Sequence, residues 1–102
     1  MSGNKTPQQQ KAYQEQLQAT VDAYDEEITF LQINLNAKLQ QIQKYQALET
    51  SYPILSAGIS LMIKWTQNNI NQVQQQIQEY KQYLAMAIQE MKSVNPDFVP
   101  NQ

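Results

Sequence analysis

The chain contains no cysteine, histidine or arginine, and only two of its 102 residues, Gly3 and Gly58, are glycine. It therefore lacks the usual general base, the thiol nucleophile, the commonest zinc ligands and a glycine-rich phosphate loop. No serine, lysine or tyrosine has a neighbouring base at a spacing that indicates an activated nucleophile. The sequence predicts a protein that is not an enzyme, with no catalytic residue, no cofactor and no metal site.

Positive charge is also scarce. The seven basic residues are all lysines, spread singly along the chain, and the formal net charge is −2. Because no basic stripe is available to neutralise phosphates, we expect no nucleic-acid partner. The absence of cysteine excludes a disulfide framework but leaves the compartment open.

Long hydrophobic runs are missing too. The first residues have no apolar stretch of the kind found in a Sec-type signal peptide, and the densest apolar run, residues 53–63, is too short and interrupted to span a bilayer. We expect a soluble protein, for which cytoplasmic, virion and leaderless-secreted locations all stay open.

Glutamine is abundant instead, with twenty Gln and eight Asn in the chain. Such enrichment is typical of low-complexity disorder. Here, however, Leu, Ile, Val, Met and Tyr recur between the glutamines at steps of three and four, which is the period of an amphipathic helix. Because Gln is itself a good helix former, the pattern predicts helices.

The first helix is expected to span residues 7–49, after a flexible N-terminus of residues 1–6. Thr6, Pro7 and Gln9 form a typical helix start, with Thr6 as N-cap, Pro7 at the first helical position and Gln9 completing a capping box. Pro53 interrupts the pattern, because proline has no N–H to donate and restricts the residue before it. We place a turn at residues 50–53, with Thr50 and Ser51 able to cap the second helix.

That second helix, of nearly equal length, is expected over residues 53–94. Residues 95–102 contain two prolines, and we interpret them as a flexible tail. A less favoured alternative is an extended peptide whose Phe98 docks on a neighbouring molecule.

The apolar positions of the two predicted helices match when the chain folds back on itself. In every predicted pair the two residue numbers add up to between 103 and 105. The pairs are Tyr13–Met91, Leu17–Ile88, Val21–Leu84, Tyr24–Tyr80, Ile28–Ile77, Leu31–Val73, Leu35–Ile70, Leu39–Thr66, Ile42–Met62, Tyr45–Ile59 and Leu48–Leu55. The twelve residues of the pairs from Leu17–Ile88 to Leu35–Ile70 form the predicted hairpin seam.

The sequence thus predicts an all-α fold, a coiled-coil-like antiparallel two-helix hairpin that assembles into a helical bundle. Pairing between two chains would satisfy the same sums, and we favour the hairpin because short connections usually join antiparallel neighbours.

Further apolar residues lie away from this seam. Phe30 and Ile33 stand among alanines on the first helix, and Ile54, Gly58, Leu61 and Trp65 recur at steps of four, three and four on the second. Because one seam buries only part of each helix, we interpret these six residues as a protein interface, either with further copies of the chain or with a helical partner protein. Scattered surface residues without a role are the alternative. Contact between residues 53–65 and a membrane is a minority hypothesis, because only Lys64 is basic there.

Acidic residues concentrate at Asp22, Asp25, Glu26 and Glu27. Asp22, Asp25 and Glu26 share a helix face and could in principle hold a hard cation, but such sites on helical bundles normally recruit several helices. We favour a solvated acidic face that pairs with Lys81.

In length and in the near equality of its arms, the chain resembles the small helical-hairpin proteins exported by specialised bacterial secretion systems, including the group with a Trp-x-Gly turn motif. That motif is missing here, because Trp65 is followed by Thr66 and Gln67 and lies a dozen residues past Pro53. The resemblance covers the chain only loosely and implies a hairpin architecture. Secretion or an effector activity would not follow from it, because that would be an analogy of fold without a site.

These observations favour a non-enzymatic structural or assembly protein, an oligomerising helical hairpin that is a component of a larger bacterial or viral apparatus or particle. The alternatives are a helical chaperone or adaptor that binds the amphipathic helix of a partner, and a membrane-interacting hairpin.

Overall fold

Two long helices account for most of the chain in the computed structural model, which describes residues 6–99. Helix α1 spans Pro7–Ser51, a short 3-10 helix spans Pro53–Leu55, and helix α2 spans Ser56–Val94. No strand occurs within residues 6–99. The predicted all-α two-helix hairpin is confirmed.

Helix α1 begins with the predicted capping box. The backbone N–H of Thr6 donates to Oε1 of Gln9 at 3.0 Å, and the backbone N–H of Gln9 donates to Oγ1 of Thr6 at 3.2 Å. Pro7 occupies the first helical position, where its missing N–H costs no hydrogen bond. The sequence-based start of α1 is therefore confirmed.

The break between the helices is narrower than the predicted turn. Thr50 and Ser51 belong to α1, and Oγ1 of Thr50 donates to the carbonyl of Gln46 in that helix. Tyr52, with φ −131° and ψ 73°, is the one residue between α1 and the 3-10 helix, which has no side-chain cap. Proline restricts only the residue directly before it, so α1 can continue to Ser51. Thr50 therefore does not act as the cap that the sequence suggested.

The helices contribute to two compact units. The terminal unit comprises Met1–Ile28 and Tyr80–Gln102, and the turn unit comprises Thr29–Glu79. In the terminal unit, Val21, Ile28 and Met91 are buried. Five further seam residues are half-buried there, namely Leu17, Tyr24, Tyr80, Leu84 and Ile88.

Ring contacts and a hydrogen bond made by tyrosines join the two helices in the terminal unit. The ring of Tyr24 lies 5.9 Å from that of Tyr80 and 6.0 Å from that of Tyr83, measured between centroids. The Oη of Tyr13 donates to Oε1 of Glu90 at 2.6 Å. Both observations join residues of α1 to residues of α2, so the two helices contact each other in this unit.

The C-terminal residues that the structure describes also belong to the terminal unit. The N–H of Asn95 donates to the carbonyl of Met91, and the N–H of Phe98 donates to that of Asn95. Phe98 is half-buried and lines a groove of about 300 Å³ together with Met91 and Lys11. The interpretation of a flexible N-terminus and tail falls partly on residues 1–5 and 100–102, which lie outside the described residues.

The core of the turn unit consists of the apolar residues Leu31, Ile42, Ile59, Ile70, Val73 and Ile77. Leu35 is half-buried beside them. Thr66 is also buried, and its Oγ1 donates to the carbonyl of Met62 at 2.9 Å. A polar residue is tolerated in this core because its hydroxyl is satisfied within its own helix.

Four residues that the pairing scheme placed between the helices are exposed in the turn unit, namely Leu39, Leu48, Leu55 and Met62. The predicted residue pairs therefore overestimate the burial of these four side chains. Two helices cover only a narrow stripe of each other, and an apolar residue at the edge of that stripe needs a third element to cover it.

Candidate protein interface

The predicted interface residues all lie in the turn unit, and all of them are exposed. The exposed fraction is 93% for Ile54, 47% for Leu61 and 61% for Trp65. On α1, Phe30 and Ile33 are exposed to 62% and 64%. These large apolar side chains are therefore available to another molecule.

Ile54, Gly58, Leu61 and Trp65 lie on one side of the second arm of the hairpin. Their steps of four, three and four residues return to nearly the same direction at about 100° per residue. Leu55 and Met62 lie between this stripe and the buried Ile59 on the same helical projection. We call these six residues (Ile54, Leu55, Gly58, Leu61, Met62 and Trp65) the turn-end face, an apolar surface that extends from the edge of the core onto the exposed side of α2.

Nothing in the fold of a single chain explains why residue 58 is glycine. A Cβ placed on it would meet no atom within 4 Å, and its φ is not positive. Gly58 lies in the first turn of α2, directly after the 3-10 helix, and glycine within a helix costs up to about 1 kcal/mol relative to alanine. Within its own chain, Gly58 therefore carries that cost without relieving a close contact or a strained backbone.

Charge is absent from this end of the molecule. Residues 50–63 contain no charged side chain, and the flanking charges are Glu49 and Lys64. The Oγ of Ser60 donates to Oε2 of Glu49 at 2.6 Å, so this carboxylate already has a partner. A molecule that covers the turn-end face would consequently desolvate little charge.

Phe30 and Ile33 belong to a different helix, α1. Further along α1, a groove of about 510 Å³ is lined by Ala37, Lys44, Tyr45, Leu48 and other residues of the same helix. A groove on the surface of one helix does not enclose a ligand as small-molecule pockets usually do. This surface is better suited to an extended contact with a protein than to the capture of a small molecule.

The acidic cluster of the terminal unit shows no metal geometry. Asp22 accepts a hydrogen bond from Nε2 of Gln18 at 2.9 Å, four residues away on the same helix. Within residues 6–99, no group of three or more acidic, histidine or cysteine side chains is arranged to hold a metal ion.

Tyr13 in the terminal unit has a shifted pKa. The hydrogen bond from Tyr13 to Glu90 raises the pKa of the Tyr13 phenol above its ordinary value, and desolvation and the charge of Glu90 act in the same direction. The phenol is held protonated by a structural contact between the helices. This does not indicate a catalytic group.

The exposure of Tyr83 and of Met86 was not anticipated from the sequence. Tyr83, half of which is exposed, stacks on Tyr24 with an interplanar angle of 28°, and Met86 is 64% exposed. Tyr83 follows Tyr80 by three residues, a spacing that puts both on one helix face, and this signal could have identified the three-tyrosine cluster.

The described geometry defines an all-α helical-hairpin protein with an uncovered apolar surface near the turn. No helix among the described residues combines the length and apolar character needed to cross a membrane. No family model, curated protein or solved structure matches this chain.

Proposed function

We propose that this protein is a non-enzymatic assembly protein, a helical hairpin that oligomerises as a structural component of a larger bacterial or viral apparatus or particle. The observation that carries this proposal is the exposure of Trp65, Leu61 and Ile54 together at one end of the hairpin. Tryptophan surrounded by other large apolar groups is typical of the centre of a protein interface.

The thin core supports the same proposal. Only nine apolar residues are buried in the described part of the chain, and none of its large side chains is less than 2% exposed. Ordering a backbone and its side chains costs on the order of 1–2 kcal/mol per residue. A single seam between two helices offsets little of that cost, so additional burial against another molecule would stabilise the fold.

Composition is consistent with a structural role. The chain lacks His, Cys and Arg, and the hydrogen bond from Tyr13 to Glu90 joins two of the remaining titratable groups in a contact between the helices. A reaction would need a base, a nucleophile or an electrophile positioned against one another. We propose that binding, without chemistry, is what this molecule does.

The mass in solution tests the proposal. Light scattering coupled to size exclusion, over a concentration series from low to high micromolar, should give a multiple of the 11.8 kDa chain mass. A chain that stays monomeric throughout would contradict self-assembly. If that monomer gained stability only when an amphipathic helical peptide was added, a chaperone or adaptor role would replace the proposal.

A separate measurement addresses the membrane alternative. Trp65 is the only tryptophan and reports directly on the turn-end face. On our account, adding neutral or anionic liposomes leaves its emission unchanged, because the face has no basic residues to attract lipid headgroups beyond Lys64. A blue shift that requires liposomes would favour membrane contact.

A further inference from the structure

We propose that the turn-end face binds the same face of a second copy of this chain, about a two-fold axis, to form a four-helix bundle with Gly58 at the closest approach of the helices. This inference rests on the proposed function and specifies its partner and its contact surface. Three observations favour a second copy: the surface area of the chain, the position of Gly58 and the distribution of charge.

The chain exposes more surface than a folded monomer of its size. Its accessible area is 7847 Å², whereas a monomer of 11.8 kDa is expected to expose about 5,900 Å². The difference is about 1,900 Å², and half of it would already exceed the roughly 800 Å² per partner that a standard interface buries. This excess is spread over the whole chain and is not an area of the turn-end face alone; it shows that the chain as a whole leaves enough surface uncovered for a stable dimer.

Gly58 indicates a helix as the covering element. Since a side chain at this position would meet nothing within its own chain, the space above it is open to a partner. Small residues allow two helix backbones to approach closely. Ile54, Leu61 and Trp65 surround this position with apolar side chains that can pack around the crossing helix.

The charge distribution selects the turn unit over the terminal unit as the contact. The terminal unit carries seven acidic residues against four lysines, whereas the turn unit carries two against three. Two identical acidic surfaces repel each other, so self-association through the terminal unit would be opposed by like charge. Residues 50–63 carry no charge, so no such repulsion opposes contact between two copies there.

The test compares two substitutions that both favour helix formation. Gly58→Ala places a methyl group at the proposed crossing, and Asn71→Ala makes a similar gain in helix propensity at an exposed site of α2 outside the turn-end face. Sedimentation equilibrium on the 102-residue chain should show Gly58→Ala raising the dissociation constant by about tenfold or more. Asn71→Ala should leave it unchanged or lower it.

A second variant keeps the test decisive if the helix crossing accommodates the methyl group of Gly58→Ala. Leu61→Ser combined with Trp65→Ser removes two anchors that are already exposed in the single chain, and should weaken association by about a hundredfold or more. Circular dichroism at concentrations where each variant remains assembled checks that helix content is retained.

The outcomes separate the inference from the proposed function. An oligomeric wild type whose dissociation constant is unaffected by Gly58→Ala and by the double variant overturns the inference and leaves self-assembly standing. A wild type that stays monomeric throughout the series overturns both. Weakening by both variants, with Asn71→Ala as tight as wild type, supports the turn-end face as the site where two copies meet.

Discussion

The rings of Tyr24 and Tyr80 lie 5.9 Å apart between centroids, tilted by 47°. One residue is on α1 and the other on α2, and they are 56 positions apart in the sequence. This contact places the two helices against each other in the terminal unit. It is one of the pairs that the apolar spacing of the sequence predicts.

The first prediction concerns this aromatic pair. A double-mutant cycle of Tyr24→Leu and Tyr80→Leu should give a coupling free energy of about 0.5–1.5 kcal/mol in the free energy of unfolding, because paired rings contribute beyond their buried area. The matching cycle of Tyr24→Leu with Tyr83→Leu should give a coupling of the same sign, since those rings are stacked. Additive effects within about 0.3 kcal/mol would show that the Tyr24–Tyr80 contact is not formed in solution.

The second prediction uses two methionines of α2 in the terminal unit. Met91 is 2% exposed and Met86 is 64% exposed. Met91→Ala should reduce the free energy of unfolding by about 2–5 kcal/mol, because it removes a buried side chain. Met86→Ala should change it by about 0.5 kcal/mol or less. If urea denaturation showed that both variants lose a similar free energy of unfolding, the prediction would be wrong and Met86 would be covered by another part of the assembly.

The third prediction concerns the polar residue in the core of the turn unit. Thr66→Val keeps the shape of the side chain and removes a hydroxyl that bonds only within its own helix. We expect the free energy of unfolding to rise by up to about 1 kcal/mol, because a buried polar group is replaced by an apolar one. A loss of more than about 1 kcal/mol would indicate a further partner for the hydroxyl.

The fourth prediction tests the start of α1. Thr6→Ala removes the side-chain acceptor of the capping box and should cost about 1 kcal/mol in the free energy of unfolding. Thr20→Ala is the matched control, because its hydroxyl bonds to the carbonyl of Gln16 inside the helix and the residue is exposed. Hydrogen exchange should accelerate at the first turn of α1 in Thr6→Ala alone. If hydrogen exchange at the first turn of α1 were unchanged in Thr6→Ala, the capping box would not be stabilising the start of that helix.

The fifth prediction is a pH dependence. Because the hydrogen bond to Glu90 raises the pKa of Tyr13 in the folded chain above its ordinary value of 10.0, the neutral phenol stabilises the folded state. That stabilisation is fully present below the unfolded pKa and is lost as pH rises through the higher folded pKa.

Glu90→Gln should therefore lower the pKa of Tyr13, measured by NMR titration of its ring with Tyr13→Phe to assign the signal. Glu79→Gln, a matched change in the turn unit, should leave that titration where it is. A Tyr13 titration that is insensitive to Glu90→Gln would contradict the contact.

Local signals in the sequence predicted much of the fold. The start of α1 was predictable because Thr6, Pro7 and Gln9 satisfy the capping groups of a helix among themselves. The break was predictable to within a few residues because Pro53 must disturb a helix. The restriction falls on Tyr52 alone, and spacing arguments could not have shown that α1 reaches Ser51.

Burial at the edges of the seam was harder to predict. Leu55 and Met62 have the spacing of core residues, but whether such positions are covered depends on how many helices are present. The same limit applies to the interface. The sequence places Trp65 and Leu61 away from the seam, but the second copy that we propose to cover them cannot be identified from the pattern of one chain.

The most direct test of the account follows the emission of Trp65, the single tryptophan, during dilution from high to nanomolar concentration. We predict a blue-shifted emission that acrylamide quenches poorly while the chain is assembled, and a shift to the red with stronger quenching as the mass falls to that of one chain. A Trp65 emission that stays red and freely quenched at concentrations where the mass is that of an oligomer would contradict the account, because the turn-end face would then be uncovered in the assembly.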